Sequence, residues 1–143
     1  MKEGVKVLVA YDGSKESMNA VAEAADIAKR FQGSVTVLNV YWDPSEIKYE
    51  PIVEKVEKIS ISDEGSIRIL DDVEPLLKER KIKYNLRSER DPNVPKTILR
   101  IAEEEGYGCI TLGSRGMGGA RAWLLGSVSS RVIAEATCPV LVV

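Results

Sequence analysis

Lys81-Ile82-Lys83-Tyr84-Asn85-Leu86-Arg87 alternates polar and apolar residues without a break. Such alternation suits a strand exposed on one face or placed at a sheet edge. The other β-rich segments read differently. Val5-Lys6-Val7-Leu8-Val9-Ala10, Val35-Thr36-Val37-Leu38-Asn39-Val40, Cys109-Ile110-Thr111-Leu112-Gly113 and Pro139-Val140-Leu141-Val142-Val143 are mostly continuous apolar runs. Runs of that kind belong in the middle of a parallel sheet. Helical segments separate the strands throughout, so the fold class is α/β: an open five-stranded parallel sheet with helices on both faces. The order 3-2-1-4-5 puts the alternating strand at an edge and the first and fourth strands side by side. Where the chain reverses direction between those two, a crevice opens at the strands' carboxyl ends, the usual ligand site of such sheets.

The helices announce themselves by spacing and caps. Ser14 is the N-cap of a first helix whose stripe of Ala20, Ala24, Ile27 and Phe31 ends at Gly33. Asp63 to Arg80 reads as a second helix through Ile67, Leu70, Val73 and Leu77, kinked or divided by Pro75. Asn93 caps a third helix with Pro95 in its first turn and Gly106 at its end. A fourth runs from about Ser127 to Ala136. Asp43 to Ser62, with Pro44 and Pro51, is polar and weakly patterned, a loop with helical content over Ile52 to Ile59.

Composition removes several classes of function. The 143 residues make one domain, 1–143, and 44% of them are hydrophobic, enough for a sizeable core. A net charge of −2 steers the chain toward neither nucleic acid nor a membrane surface. No apolar run approaches the roughly 18 residues that span a bilayer, and no signal peptide is evident, so a cytoplasmic protein is expected. The chain has no histidine, which excludes Ser-His-Asp and Cys-His catalysis and the usual His-containing zinc sites. Cys109 and Cys138 lack metal-ligand spacing and read as small buried hydrophobes.

The fourth strand runs into Gly113-Ser114-Arg115-Gly116, and nine residues later the chain reads Gly126-Ser127. Glycines at a strand's carboxyl end let backbone N–H groups approach a ligand with no Cβ in the way. A Ser opening the next helix adds a hydroxyl and the free N–H groups of the helix terminus, an anion site. Together they describe a phosphate cradle. No acidic residue occurs between Gly106 and Ala134, whereas Arg115, Arg121 and Arg131 do, which favours a polyphosphate. Arg115 reads equally well as a phosphate clamp and as a solvated surface residue; Arg121 and Arg131 read as surface. Asp12-Gly13-Ser14 is either a ligand contact or turn chemistry capping the first helix. Walker, dinucleotide and G-x-S-x-G patterns are absent.

The arrangement resembles the ATP-binding branch of the universal stress protein family. The resemblance spans nearly the whole chain: Val7 to Ser14, Leu112 to Gly116, Leu124-Leu125-Gly126-Ser127-Val128-Ser129, and the closing Cys138 to Val143. The family signature G-x2-G-x9-G-S/T is met by Gly113, Gly116, Gly126 and Ser127. Ala10 stands where the family often has Pro, Tyr11 is bulkier than common, and Ser88 to Asn93 lacks a frequent Gly.

The resemblance implies the fold of the adenine nucleotide alpha hydrolases and a set of roles. Gly113, Ser114 and Gly116 would meet ribose and phosphates through their backbone. Ser127, Val128 and Ser129 would present N–H and hydroxyl groups to the phosphates. Ala10 and Val40 would line the adenine pocket, and Asp12 would hold Mg2+ (or Mn2+) or a ribose hydroxyl. The expected function is a cytoplasmic stress-response protein in which ATP tunes conformation or partner choice. It has no assigned catalytic residue and at most a weak or partner-stimulated ATPase activity. The competing expectation is a dimerising interaction module that binds no nucleotide. The apolar Val140 to Val143 edge suggests a homodimer through the C-terminal strand. A Gly113→Val, Gly126→Val double change is expected to abolish nucleotide binding and leave the fold largely intact.

Overall fold

The computed structural model describes residues 1–42, 68–114 and 125–143. In chain order the elements are β1 (Lys6–Ala10), α1 (Lys15–Arg30), β2 (Ser34–Tyr41), α2 (Glu74–Arg80), β3 (Lys83–Arg90), α3 (Val94–Glu104), β4 (Cys109–Leu112), α4 (Ser127–Glu135) and β5 (Val140–Val142). The five strands form one sheet in the order β3-β2-β1-β4-β5, and every pairing is parallel. Val7 of β1 lies level with Val35 of β2 and Cys109 of β4. The edge position of the alternating segment and the adjacency of β1 and β4 are as the sequence predicts. The segment 43–67 and the residues 115–124 lie outside the described residues, and with them the expected helical content over Ile52 to Ile59, the start of the Asp63 helix, and Arg115, Gly116, Arg121, Trp123 and Leu124.

Continuous apolar strands serve two cores. Val7, Val9, Val35 and Val37 turn to one face and pack with Ala20, Val21, Ala24, Ala25 and Ala28 of α1 and Leu77 of α2. Leu8, Leu38, Ile110 and Leu112 turn to the other face and meet Ile98, Ile101, Ala102 and Val132 of α3 and α4. Leu8, Leu38, Ile98, Ile101 and Ile110 are fully buried, each contributing about 1.5–3 kcal/mol through the area removed from water. Cys109 and Cys138 are free thiols assigned to opposite cores. Burial is the main cause that pushes both thiols up, so neither is an activated thiolate.

Three boundaries differ from the sequence reading. The first helix closes at Phe31, and Gln32, not Gly33, takes the left-handed backbone at φ 53°. Gly33 is required for another reason: a Cβ there would fall 1.9 Å from the Val5 carbonyl oxygen. The segment around Pro75 divides as expected, with a helical stretch over 68–71, a turn, and α2 with Pro75 in its first turn, where a missing N–H costs nothing. Strand β3 begins late because Lys81 is left-handed at φ 55°, closing α2. It then runs three residues past Arg87, pairing Val40 with Glu89 and Tyr41 with Arg90. Polar side chains do not stop an edge strand whose backbone still finds a partner.

Candidate functional site

The chain leaves β1 through Tyr11-Asp12-Gly13-Ser14, and this turn is held by its own polar groups. Asp12 Oδ1 accepts the Ser14 N–H at 2.9 Å and the Ser17 hydroxyl at 2.9 Å. Ser14 Oγ accepts the Ser17 N–H at 3.1 Å, the N-cap of α1. Gly13 sits at φ 89°, backbone that glycine adopts without cost. The turn-chemistry reading of Asp12-Gly13-Ser14 is therefore present in full. Asp12 remains exposed at the crevice. The bulky Tyr11 packs into the α1-side core at 3% exposure, which leaves Ala10 on the opposite face. Burial first, then the charges of Asp72 and Asp12, push the Tyr11 phenol up. Asn39 Nδ2 donates to the Tyr11 carbonyl at 2.8 Å, bracing the turn from β2.

The β4 exit is built from distant pieces. Gly113 is pressed onto the first turn of α1: a Cβ there would lie 2.8 Å from Glu16 Cβ, 2.9 Å from the Glu16 carbonyl carbon and 3.0 Å from the Ser17 nitrogen. Glycine at 113 thus lets β4 meet α1, whatever else it admits. The expectation that Gly113→Val leaves the fold largely intact is corrected by that contact. Ser114 donates its N–H to the Val143 carbonyl at 2.9 Å and accepts the Gly126 N–H at 2.6 Å. Ser129 Oγ donates to the Gly113 carbonyl at 2.7 Å, with the Ser114 carbonyl at 3.3 Å.

Helix α4 begins with Gly126 as N-cap at φ −68°, ψ 163°, a residue with no side chain to cap it. Its first N–H groups have no intrahelical acceptor; the first helical bond runs from the Ser130 N–H to the Gly126 carbonyl. Ser127 is thus the first helical residue rather than the cap, and it is exposed. Arg131 pairs with Glu135 on the outer face, consistent with its reading as a surface residue.

Beside these turns lies a half-buried apolar wall. Ala10 and Val40, at the ends of β1 and β2, and Val94 and Val128, in the first turns of α3 and α4, all pack on the α3/α4 core. Of the sequence-selected residues, Ala10, Val40, Gly113, Ser114, Gly126, Ser127, Val128 and Ser129 flank the carboxyl end of the sheet together with Asp12, while Arg115 and Gly116 fall outside the described residues. Ser17, Asn39 and Val94 were not selected. Ser17 stands three residues after the Ser14 cap, where a cap side chain bonds the backbone N–H, and that spacing could have found it; Val94 directly follows the Asn93 cap. Nothing local marks Asn39.

Comparison with known proteins agrees with this architecture. The model of the universal stress protein family matches residues 5–143. Universal stress protein YxiE of Bacillus subtilis is 32% identical over 148 residues, covering 96% of this chain and 97% of that protein. Universal stress protein UspA from Lactobacillus plantarum superposes with a TM-score of 0.82 over 100% of this chain and 99% of that one at 22% identity. A universal stress protein from Archaeoglobus fulgidus, solved in complex with dAMP, has a TM-score of 0.66 at 21% identity, covering 99% of this chain and 98% of its own. At those identities the two structures speak for the fold alone. With the family match running from the first strand to the last, the chain belongs to the universal stress protein family.

Proposed function

We propose that this protein binds ATP at the carboxyl end of β1 and β4, and that the bound nucleotide tunes its conformation or its choice of partner. The observation that carries the reading is the α4 N-terminus: its N-cap, Gly126, has no side chain to cap the first turn, and N–H groups in that position favour an anion. The apolar wall of Ala10, Val40, Val94 and Val128 suits the faces of an adenine ring. The dAMP complex of a related fold supports the base as adenine. Gly113, Ser114, Arg115, Gly116, Gly126, Ser127 and Val128 are the residues assigned to ribose and phosphates.

A divalent cation would neutralise phosphate charge, and Asp12 is the residue that would meet it. Among the described residues no group of three or more His, Cys, Asp or Glu side chains gathers to hold a metal. One carboxylate suits a cation carried in on the phosphates, as Mg2+ usually is. With no His in the chain and no assigned general base, hydrolysis is slow or waits for a partner. We assign residues 1–143 to a single domain working in the cytoplasm; among the described residues no helix is long and apolar enough to cross a membrane. The β5 edge, with Leu141 at 36% exposure, is assigned to a two-fold homodimer.

Two observations favour a second reading, a dimerising module that binds no nucleotide: Gly113 is needed by packing, and Asp12 by the turn that leads into α1. Isothermal titration with Mg-ATP, paired with mass spectrometry of nucleotide retained through gentle purification, separates the two. Saturable binding with a retained adenine nucleotide is the expected result. Folded protein giving neither would leave the second reading standing. A dimer mass by light scattering is expected under both readings; a monomer would remove the β5 interface.

A further inference from the structure

The resemblance casts Ser129 as a phosphate contact through its hydroxyl, and the geometry assigns that hydroxyl elsewhere. Ser129 is 3% exposed. A serine hydroxyl has one proton to donate, and the nearest acceptor is the Gly113 carbonyl at 2.7 Å, with the Ser114 carbonyl behind it at 3.3 Å. The same Ser114 carbonyl accepts the Gly126 N–H at 2.6 Å. The first two carbonyls past β4 are therefore both gripped by the opening residues of α4. That grip fixes the helix terminus against the strand that delivers the glycine turn.

We propose that Ser129 is a positioning residue: it clamps the Gly113 and Ser114 carbonyls and so aims the first-turn N–H groups of α4 at a phosphate, without touching the ligand. The proposal rests on the nucleotide reading above. Removing the hydroxyl leaves the Gly113 carbonyl short of a donor and the helix start free to shift, while the backbone N–H groups themselves remain. The affinity lost should be the part that depends on phosphate. Adenosine, which has none, should not feel the change.

The test uses the whole protein as wild type, Ser129→Ala, Ser129→Cys and Ser129→Thr. Each is titrated with Mg-ATP and with adenosine, and the exchange of the Gly126 amide is followed without nucleotide. For Ser129→Ala we expect ATP to bind about ten-fold more weakly and adenosine within about two-fold of wild type, the scale of one buried hydrogen bond. The Gly126 amide should exchange about ten-fold faster in the ligand-free protein. Ser129→Cys, near in size but a poor donor, should behave like Ser129→Ala, and Ser129→Thr should restore both readouts. Weakened ATP binding with unchanged ligand-free exchange would mean the hydroxyl meets phosphate directly and would overturn the proposal. Unchanged ATP affinity in folded Ser129→Ala or Ser129→Cys would reduce Ser129 to packing. If wild type binds ATP and the variants give either of these results, the clamp alone is wrong. If wild type binds neither ligand, the nucleotide reading falls and the clamp's role falls with it.

Discussion

Strands β1 and β4 lie side by side, yet the chain is held at their two exits by opposite means. After β1, a carboxylate and two serines within five positions satisfy one another, Asp12, Ser14 and Ser17, and Asn39 of β2 adds one long-range brace at the Tyr11 carbonyl. After β4, every fastening among the described residues comes from afar. Gly113 rests on α1, Ser114 reaches Val143, and the clamp on Gly113 and Ser114 is Ser129, sixteen and fifteen positions on. A local turn forms from its own residues, whereas a long-range junction exists only once helices and sheet are in place. The β1 exit is a fixed post, and the β4 exit is the side whose geometry depends on the rest of the fold.

The severest way to break the comparison is Gly113→Val. A branched side chain would press into α1 backbone within 3.0 Å, and neither element can yield without opening the β1–β4 core. We expect a loss of about 3 kcal/mol, the upper range for overpacking, read as a lower urea midpoint. An unchanged midpoint would show that β4 and α1 do not meet as closely as described. Because this variant damages the fold, loss of nucleotide binding in it would say nothing about the ligand.

Ser14→Ala and Ser129→Ala sharpen the contrast at smaller cost. The first removes an N-cap, worth about 1 kcal/mol, and the second a buried hydrogen bond of similar worth. Their kinetics should differ. Capping at Ser14 needs only the first turn of α1, so Ser14→Ala should act mainly by slowing folding. The Ser129 clamp joins elements far apart in the chain, so Ser129→Ala should act mainly by speeding unfolding. Stopped-flow folding and unfolding arms measured on both variants decide it, and matching behaviour would erase the distinction between the two exits.

The same contrast explains what the sequence could disclose. Asp12-Gly13-Ser14 is legible because its partners are neighbours and each residue type has a turn role. Strand order is legible because the alternation from Ile82 to Leu86 cannot be buried on both faces. Gly33 and Gly113 were visible as glycines, but their reasons were not: the atoms they make room for, the Val5 carbonyl and the first turn of α1, are distant in the chain. Ser129 reads as a ligand group in the sequence for a related cause. A Ser two residues into a signature looks like a ligand group until the strand end it bonds is placed beside it. The reach of β3 to Arg90 was hidden because backbone pairing at an edge leaves no mark in polar side chains.

The smallest effect tests how tightly the β1 exit is sealed. Tyr11 lies next to Asp12 but turns away from the crevice into the core, and its phenol is pushed above the ordinary value of 10.0 by burial first and by Asp72 and Asp12 after it. A raised folded-state pKa means the neutral phenol is favoured in the native protein. Its contribution is therefore complete below pH 10 and is lost as pH rises through the higher folded value. Tyrosinate absorbance of wild type against Tyr11→Phe should show Tyr11 ionising late in the titration. In Asp72→Asn the late step should move only modestly toward 10, because desolvation, not charge, is the leading cause. A step that collapses to the ordinary value in Asp72→Asn would mean that Tyr11 is held by charge in a wetter setting. The turn carrying Asp12 would then be as dependent on distant residues as the β4 exit opposite it.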